Sequence, residues 1–299
     1  MICGDSVLQL LMNKLIAVIH GILTGQTEPS WPDRFDAWIF QRDPQIKVLK
    51  KEYRAGPFPR WNCWVKDPFL ARGLANEIAL FLGRDSHAGT TETAPGTPRL
   101  WLVAHSNGAV IALLAAGLLI ERGFRIEGLI LTGAACESDI ERNGILDWQG
   151  RGMLGVAISY SSHEDKVLED NMAGRVTACA PAPLPMNHPH PNPFPSDGSG
   201  GRYPKVGAHG VRQPTPTFSG LGVLGYARRW LWGKLLWPYG RLGRTGWTLE
   251  GRPLSDTNPE LSTIRTRWFA GGHAVYFTRE NSGYTFERIY QDIRGTNFE

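Results

Sequence analysis

The chain has 299 residues, of which 42% are hydrophobic and 20% charged, and its formal net charge is +4. That length and apolar content suffice for one sizeable core, or one core with a small cap, and they exclude a disordered chain. The near-balanced charge points to no nucleic-acid partner.

Leu15 to His20 is a short continuous apolar run closed by Gly21, which suits a strand buried on both faces of a parallel sheet. Asp33 to Phe40 opens a helix with Phe35 and Trp38 on one face, and Lys47 to Tyr53 is a second strand. Leu70 to Leu82 carries apolar residues at helical spacing, and Asp85 to Pro98 is a polar loop rich in Gly, Thr and Pro. Arg99 to Ala104 is the next strand; Asn107 to Arg122 is a helix stopped by Gly123. Ile126 to Thr132 is another buried strand, Asp139 to Gly152 a helical or irregular piece, and Gly155 to Tyr160 a further strand. The alternation then stops from Pro181 to about Pro259 and resumes with a strand, Ile264 to Phe269, and an amphipathic helix, Tyr284 to Ile293.

Strands alternating with helices predict an α/β fold: a three-layer sandwich around a mostly parallel sheet with right-handed crossovers. The interruption divides the chain into a core (residues 1–180), an insertion rich in Pro, Gly and Trp (181–260), and the last core strand and helix (261–299). Nothing in Met1 to Leu15 reads as a secretory signal. The longest apolar run, Ala109 to Ile120, is too short to cross a bilayer, so the expected location is cytoplasmic.

Four cysteines, Cys3, Cys63, Cys136 and Cys179, are widely spaced, with neither a CxxC pair nor zinc-ligand spacing. Cys136 follows an apolar run and reads as a buried thiol. His188 and His190 alternate with prolines in an extended loop without a clear third ligand, so no metal is expected there. No cofactor is called for.

Ala104-His105-Ser106-Asn107-Gly108 joins a strand to a helix. Such a turn can simply cap a helix. It also resembles the nucleophile elbow G-x-S-x-G, with Ala104 for the first glycine, in which a serine is held on a sharp turn beside the helix N-terminal amides. His20-Gly21-Ile22 ends the first strand. Ser162-His163-Glu164-Asp165 follows the strand ending at Tyr160, and Gly271-Gly272-His273 follows the last strand. Together these segments resemble the α/β-hydrolase superfamily, over roughly Lys14 to Leu168 and Thr263 to Ile293, starting at what would be the family's third strand. The order Ser106, acid, His273 is the superfamily's order.

The resemblance implies a serine esterase or lipase-like hydrolase. Ser106 would be the nucleophile, His273 the base and Asp165 the acid, with Glu164 and Asp139 as rival acids. The backbone N–H groups of Ile22 and Asn107 would form the oxyanion hole. His105 would support the turn, and His163 would border the site or lie in water. The implied partner is a small acyl or aromatic ester. A catalytically silent fold relative acting as a binding protein, or a peripheral lipid-binding protein, are the alternative readings.

From Pro181 to Trp247 the insertion holds basic residues from Arg202 to Arg244 against one acid, Asp197, and Leu224 to Tyr239 mixes Arg and Lys with Trp230, Trp232 and Trp237. It reads as a cap over the site or as packing on the core, and residues 224–239 also as a membrane-surface contact.

Overall fold

The computed structural model describes residues 14–21, 30–53, 65–83, 98–169, 240–254 and 261–295. Its centre is a six-stranded sheet formed by β1 (Lys14–Ile19), β2 (Ile46–Lys51), β3 (Arg99–His105), β4 (Ile126–Thr132), β5 (Leu154–Ser161) and, numbered in chain order, β8 (Ile264–Trp268). The strand order is β2-β1-β3-β4-β5-β8 and every pairing is parallel. The strands therefore all end at one edge, and the loops that leave that edge meet there.

Alternation along the strands sends side chains to two separate cores. Leu15, Ala17, Ile19, Leu100, Leu102 and Ala104 face α2 (Asp67–Phe81) and α3 (Gly108–Glu121). Ile16, Val18, Trp101 and Val103 face α1 (Trp31–Arg42) and the C-terminal helix α7 (Ser282–Arg294). This is the expected three-layer sandwich. The strands are apolar throughout because both faces are covered. α3 is apolar on every side: eleven of its 14 residues are buried, between the sheet and α2.

Element ends shift where capping chemistry decides them. α1 begins two residues before the expected Asp33, because Ser30 Oγ accepts the Asp33 N–H at 3.4 Å and Pro32 occupies the first turn, with Trp31 buried on the same stripe as Phe35 and Ile39. α2 likewise starts at Asp67, with Pro68 in its first turn. β2 ends at Lys51, which leaves Tyr53 beyond the strand. Of Asp139 to Gly152, only α4 (Ile145–Gly150) is helical; Asp139 Oδ1 instead takes the N–H groups of Glu141 and Arg142 in a turn.

Within 181–260, the described residues 240–254 hold α6 (Leu242–Thr245), which follows the short helix α5 (Lys166–Glu169), and a small hairpin of β6 (Thr248–Leu249) and β7 (Arg252–Pro253). Leu242 and Trp247 are buried in the core on the α3 side. Trp230, Trp232, Trp237, His188, His190, Ile22, Cys3, Cys63 and Cys179 lie outside the described residues. Cys136 is buried, and burial pushes its thiol well above the ordinary range, as expected for an inert core residue. Among the described residues, no helix is long and apolar enough to cross a membrane.

Candidate active site

β3 delivers Ser106 to the centre of the sheet edge. The chain must reverse from strand to helix within three residues, and it does so by placing Ser106 at φ 55°, in the left-handed region. For a residue with a Cβ this costs about 1–3 kcal/mol and persists only where surroundings enforce it. The end of β4 supplies that enforcement. Ser106 N–H donates to the Thr132 carbonyl and Ala135 N–H to the Ser106 carbonyl, each at 3.1 Å. Thr132 Oγ1 donates to the Ala104 carbonyl at 3.1 Å.

Close backbone approach explains the small residues around the turn. A Cβ on Gly108 would stand 2.6 Å from the His20 carbonyl oxygen, and one on Gly21 would stand 2.6 Å from Ser106 Cβ. Neither contact is possible, so both positions require glycine. Ala104, in contrast, fits in the strand interior with its methyl buried.

The other strand ends bring the predicted partners to the serine. His273 Nε2 lies 2.8 Å from Ser106 Oγ, and His273 Nδ1 lies 2.8 Å from Asp165 Oδ2. Asp165 is fully buried, and its other oxygen accepts the Leu168 N–H at 3.1 Å, the N-terminal amide region of α5. The carboxylate accepts at Nδ1–H and the hydroxyl donates to the Nε2 lone pair. One tautomer of His273 therefore satisfies both bonds.

The rival acids are occupied elsewhere. Glu164 Oε2 accepts the Gly271 N–H at 2.7 Å, and Asp139 Oδ2 accepts the Gly251 N–H at 3.1 Å. Glu164 is thereby part of a latch on the histidine loop, completed by Ser162 Oγ donating to the Gly271 carbonyl. Beneath the loop, Arg267 pairs with the buried Asp292, which also accepts the Tyr160 hydroxyl at 2.6 Å, tying β8 and β5 to α7.

His105 does more than support the turn. Its ring is buried, and Nε2 lies 3.1 Å from the His273 carbonyl oxygen. A carbonyl only accepts, so the proton sits on Nε2. Burial, reinforced by the neighbouring His273, pushes the His105 pKa down to about 3, which keeps the ring neutral. His163 stacks on Trp268, with ring centroids 3.8 Å apart, at the exposed rim beside the acid loop.

On the opposite flank, Asn107 is the first residue after the serine and lies at the start of α3. Its side-chain amide donates to the Tyr53 hydroxyl at 3.0 Å and to Asp67 Oδ1 at 3.3 Å. Burial holds the Tyr53 phenol far above its ordinary pKa, so it stays protonated. Tyr53 and Asp67 are not apparent from sequence spacing: one follows a strand and the other is a first-turn helix acid. Among the described residues no group of three or more His, Cys, Asp or Glu side chains gathers as a metal site.

The parallel sheet order and the strand–turn–helix at Ser106 define the α/β-hydrolase fold. No protein-family model and no curated protein matches the sequence. Comparison with solved structures finds similar folds. An α/β-hydrolase enzyme from the metagenome of sediments from the lagoon of Mar Chica, Morocco, is 14% identical, with 95% of this chain and 92% of that chain covered and a TM-score of 0.39. The NocB thioesterase domain, in covalent complex with a fluorophosphonate nocardicin G analog, is 11% identical over 96% and 97% of the two chains, with a TM-score of 0.41. The RedJ thioesterase of the prodiginine pathway in Streptomyces coelicolor is 14% identical over 93% and 89%, with a TM-score of 0.34.

Proposed function

We propose that the chain is a serine hydrolase that cleaves carboxylic esters through an acyl-enzyme. The observation that carries this reading is the unbroken path Ser106 Oγ–His273–Asp165, two contacts of 2.8 Å, on a serine held at φ 55° beside a helix start. Such strain and such a path have no purpose in a helix cap.

In the first half-reaction Ser106 Oγ attacks the ester carbonyl carbon while His273 Nε2 takes its proton. The carbonyl π pair moves to oxygen, and the Asn107 N–H stabilises the resulting oxyanion. The second donor would be the N–H of Ile22, the residue after Gly21 in the sequence. Asp165 balances the imidazolium that forms. His273 then gives its proton to the departing alkoxide, leaving the acyl group on Ser106. Water repeats the sequence, with His273 as base, to release the acid and restore the hydroxyl. All groups needed are side chains and amides of this chain.

The insertion's aromatic content favours acyl or aromatic esters over sugars or peptides. A fluorophosphonate probe together with a chain-length series of p-nitrophenyl esters tests the reading. Covalent labelling at Ser106 and turnover, both lost in Ser106→Ala, are the expected results. A folded wild-type chain that is neither labelled nor active overturns it.

A further inference from the structure

Four buried or half-buried polar residues beside the serine take no part in the proton path. Asn107 is 1% exposed, Asp67 is fully buried and His20 is 5% exposed. Tyr53 joins them: its hydroxyl accepts from Asn107, its backbone N–H donates to His20 Nε2 at 2.8 Å, and its ring stacks on the imidazole at 4.8 Å and 11°. Accepting at Nε2 leaves the His20 proton on Nδ1, which donates to the Gly21 carbonyl at 2.5 Å. The network thus begins at the peptide after the nucleophile and ends at the peptide before Ile22.

Burying a carboxylate, an amide and an imidazole at the end of an otherwise apolar sheet is an expensive way to fill space. Apolar side chains would pack the same volume without the desolvation cost. What the polar set supplies is direction. An oxyanion donor works only if it is already aimed, because a misplacement of about 1 Å costs on the order of 100-fold in rate. The Asn107 backbone N–H sits on the same residue as the gripped amide. Fixing Nδ2 between two acceptors limits rotation of that peptide. The grip comes from β2's end and from α2's first turn, so it is independent of the histidine side of the site.

Resting on the hydrolase reading above, we infer that Tyr53 and Asp67 are positioning residues for the Asn107 backbone N–H, holding its side-chain amide so that the N–H stays aimed at the oxygen under attack. Neither touches substrate. Asp67 also sits in the first turn of α2, where the helix's N-terminal amides favour its charge.

The test is a swap measured on the full chain with p-nitrophenyl ester turnover, the fluorophosphonate labelling rate and thermal melting. Asn107→Asp is nearly isosteric but loses both donors and faces Asp67 with a second carboxylate. It should lower kcat and the labelling rate about 100-fold with KM little changed. Asp67→Asn keeps an acceptor oxygen and should cost under about 5-fold. The double variant restores one donor facing one carboxylate, with the roles exchanged, and should recover to within about 10-fold of wild type.

Tyr53→Phe keeps the stack and removes one acceptor. It should lower kcat about 5-fold at unchanged KM, and it covers the case in which Asn107→Asp fails to fold. A folded Asn107→Asp labelled within about 3-fold of wild type overturns the inference, as does a double variant no better than that single one. So does a Tyr53→Phe whose losses follow its melting temperature alone. A wild-type chain that is never labelled overturns the hydrolase reading, and the inference with it. An active wild type whose swap variants behave independently leaves that reading intact and removes only the positioning role.

Discussion

The two flanks of Ser106 are built on different plans. In the proposed reaction, side chains of the β5–β8 flank reach the reacting atoms themselves, and the loops that carry them are latched by Ser162, Glu164 and His105. On the β1–β2 flank, the group proposed to meet the developing charge is a backbone N–H, and the proposed part of the side chains is to hold it. The difference follows from what each flank handles. A proton must travel between Ser106 and His273, so that flank needs ionisable groups in a fixed tautomer. Charge merely accumulates on the other flank, so that flank needs dipoles that do not reorganise.

The contrast can be broken at four points, in descending size. Removing the proton carrier should be the most damaging. His273→Ala or Asp165→Asn should lower kcat by about 10⁴-fold, equivalent to about 5.5 kcal/mol, with melting temperatures within a few degrees of wild type. A small loss of kcat in Asp165→Asn would mean that the carboxylate does not select the tautomer.

On the opposite flank, Gly108→Ala should act on the fold before the chemistry. Its Cβ would press on the His20 and Ile19 carbonyl oxygens at 2.6 and 2.8 Å, and backbone cannot yield there as a side-chain end can. The expected loss is about 3 kcal/mol by urea melting, with kcat falling in the fraction that stays folded. Unchanged stability would show that the elbow can open there.

His105 ties the nucleophile turn to the histidine loop without sharing in the proton traffic, and it makes the fold sensitive to acid. Its folded pKa of about 3 lies below the unfolded value of about 6.5. Between these values the unfolded chain binds a proton that the folded chain refuses. Stability from this residue is therefore complete above pH ~6.5 and falls by about 1 kcal/mol per pH unit as pH drops toward 3. Between pH 6.5 and 5 that is roughly 1.5 kcal/mol. His105→Gln, which cannot charge, should flatten the curve by that amount in urea titrations at the two pH values. An unchanged slope would place the acid sensitivity elsewhere.

The smallest effect belongs to the latch. Glu164→Ala frees the Gly271 N–H and should lower kcat about 3- to 5-fold, whereas Glu164→Gln keeps an acceptor oxygen and should restore most of it. Equal losses in both would mean that charge, rather than the hydrogen bond, holds the loop.

The same division governs what the sequence discloses. Ser106, Asp165 and His273 each follow a strand of one parallel sheet, so the strand pattern brings them to one edge. The fold is legible for the same reason: β1, β3, β4 and β5 are apolar runs with clear stops. The Asn107 network has no such period. It joins residues 20, 53, 67 and 107, and its members look like a strand end, a loop aromatic, a first-turn acid and a cap. Each has an ordinary local explanation, and only the crossing of β1 between β2 and β3 makes them neighbours. Capped ends mislead in a similar way: α1 starts at Trp31, after the Ser30 cap, two residues before the expected Asp33. His105 is read as support for its own turn, and its bond to the His273 carbonyl goes unread because that partner lies 168 residues away.

The lack of any polar side on α3 has a further consequence, during synthesis. The helix that follows Ser106 leaves the ribosome before β4, β5 and β8 exist to complete the layer it packs on. Until they arrive, the nascent chain can bury this 14-residue apolar segment only against α2, β1 and β3, which precede it. The strained turn at its head has nothing to enforce it during that interval. Ser106 is thus translated in the first half of the chain, but its turn is held only once the end of β4, with Thr132 and Ala135, has been made and has docked.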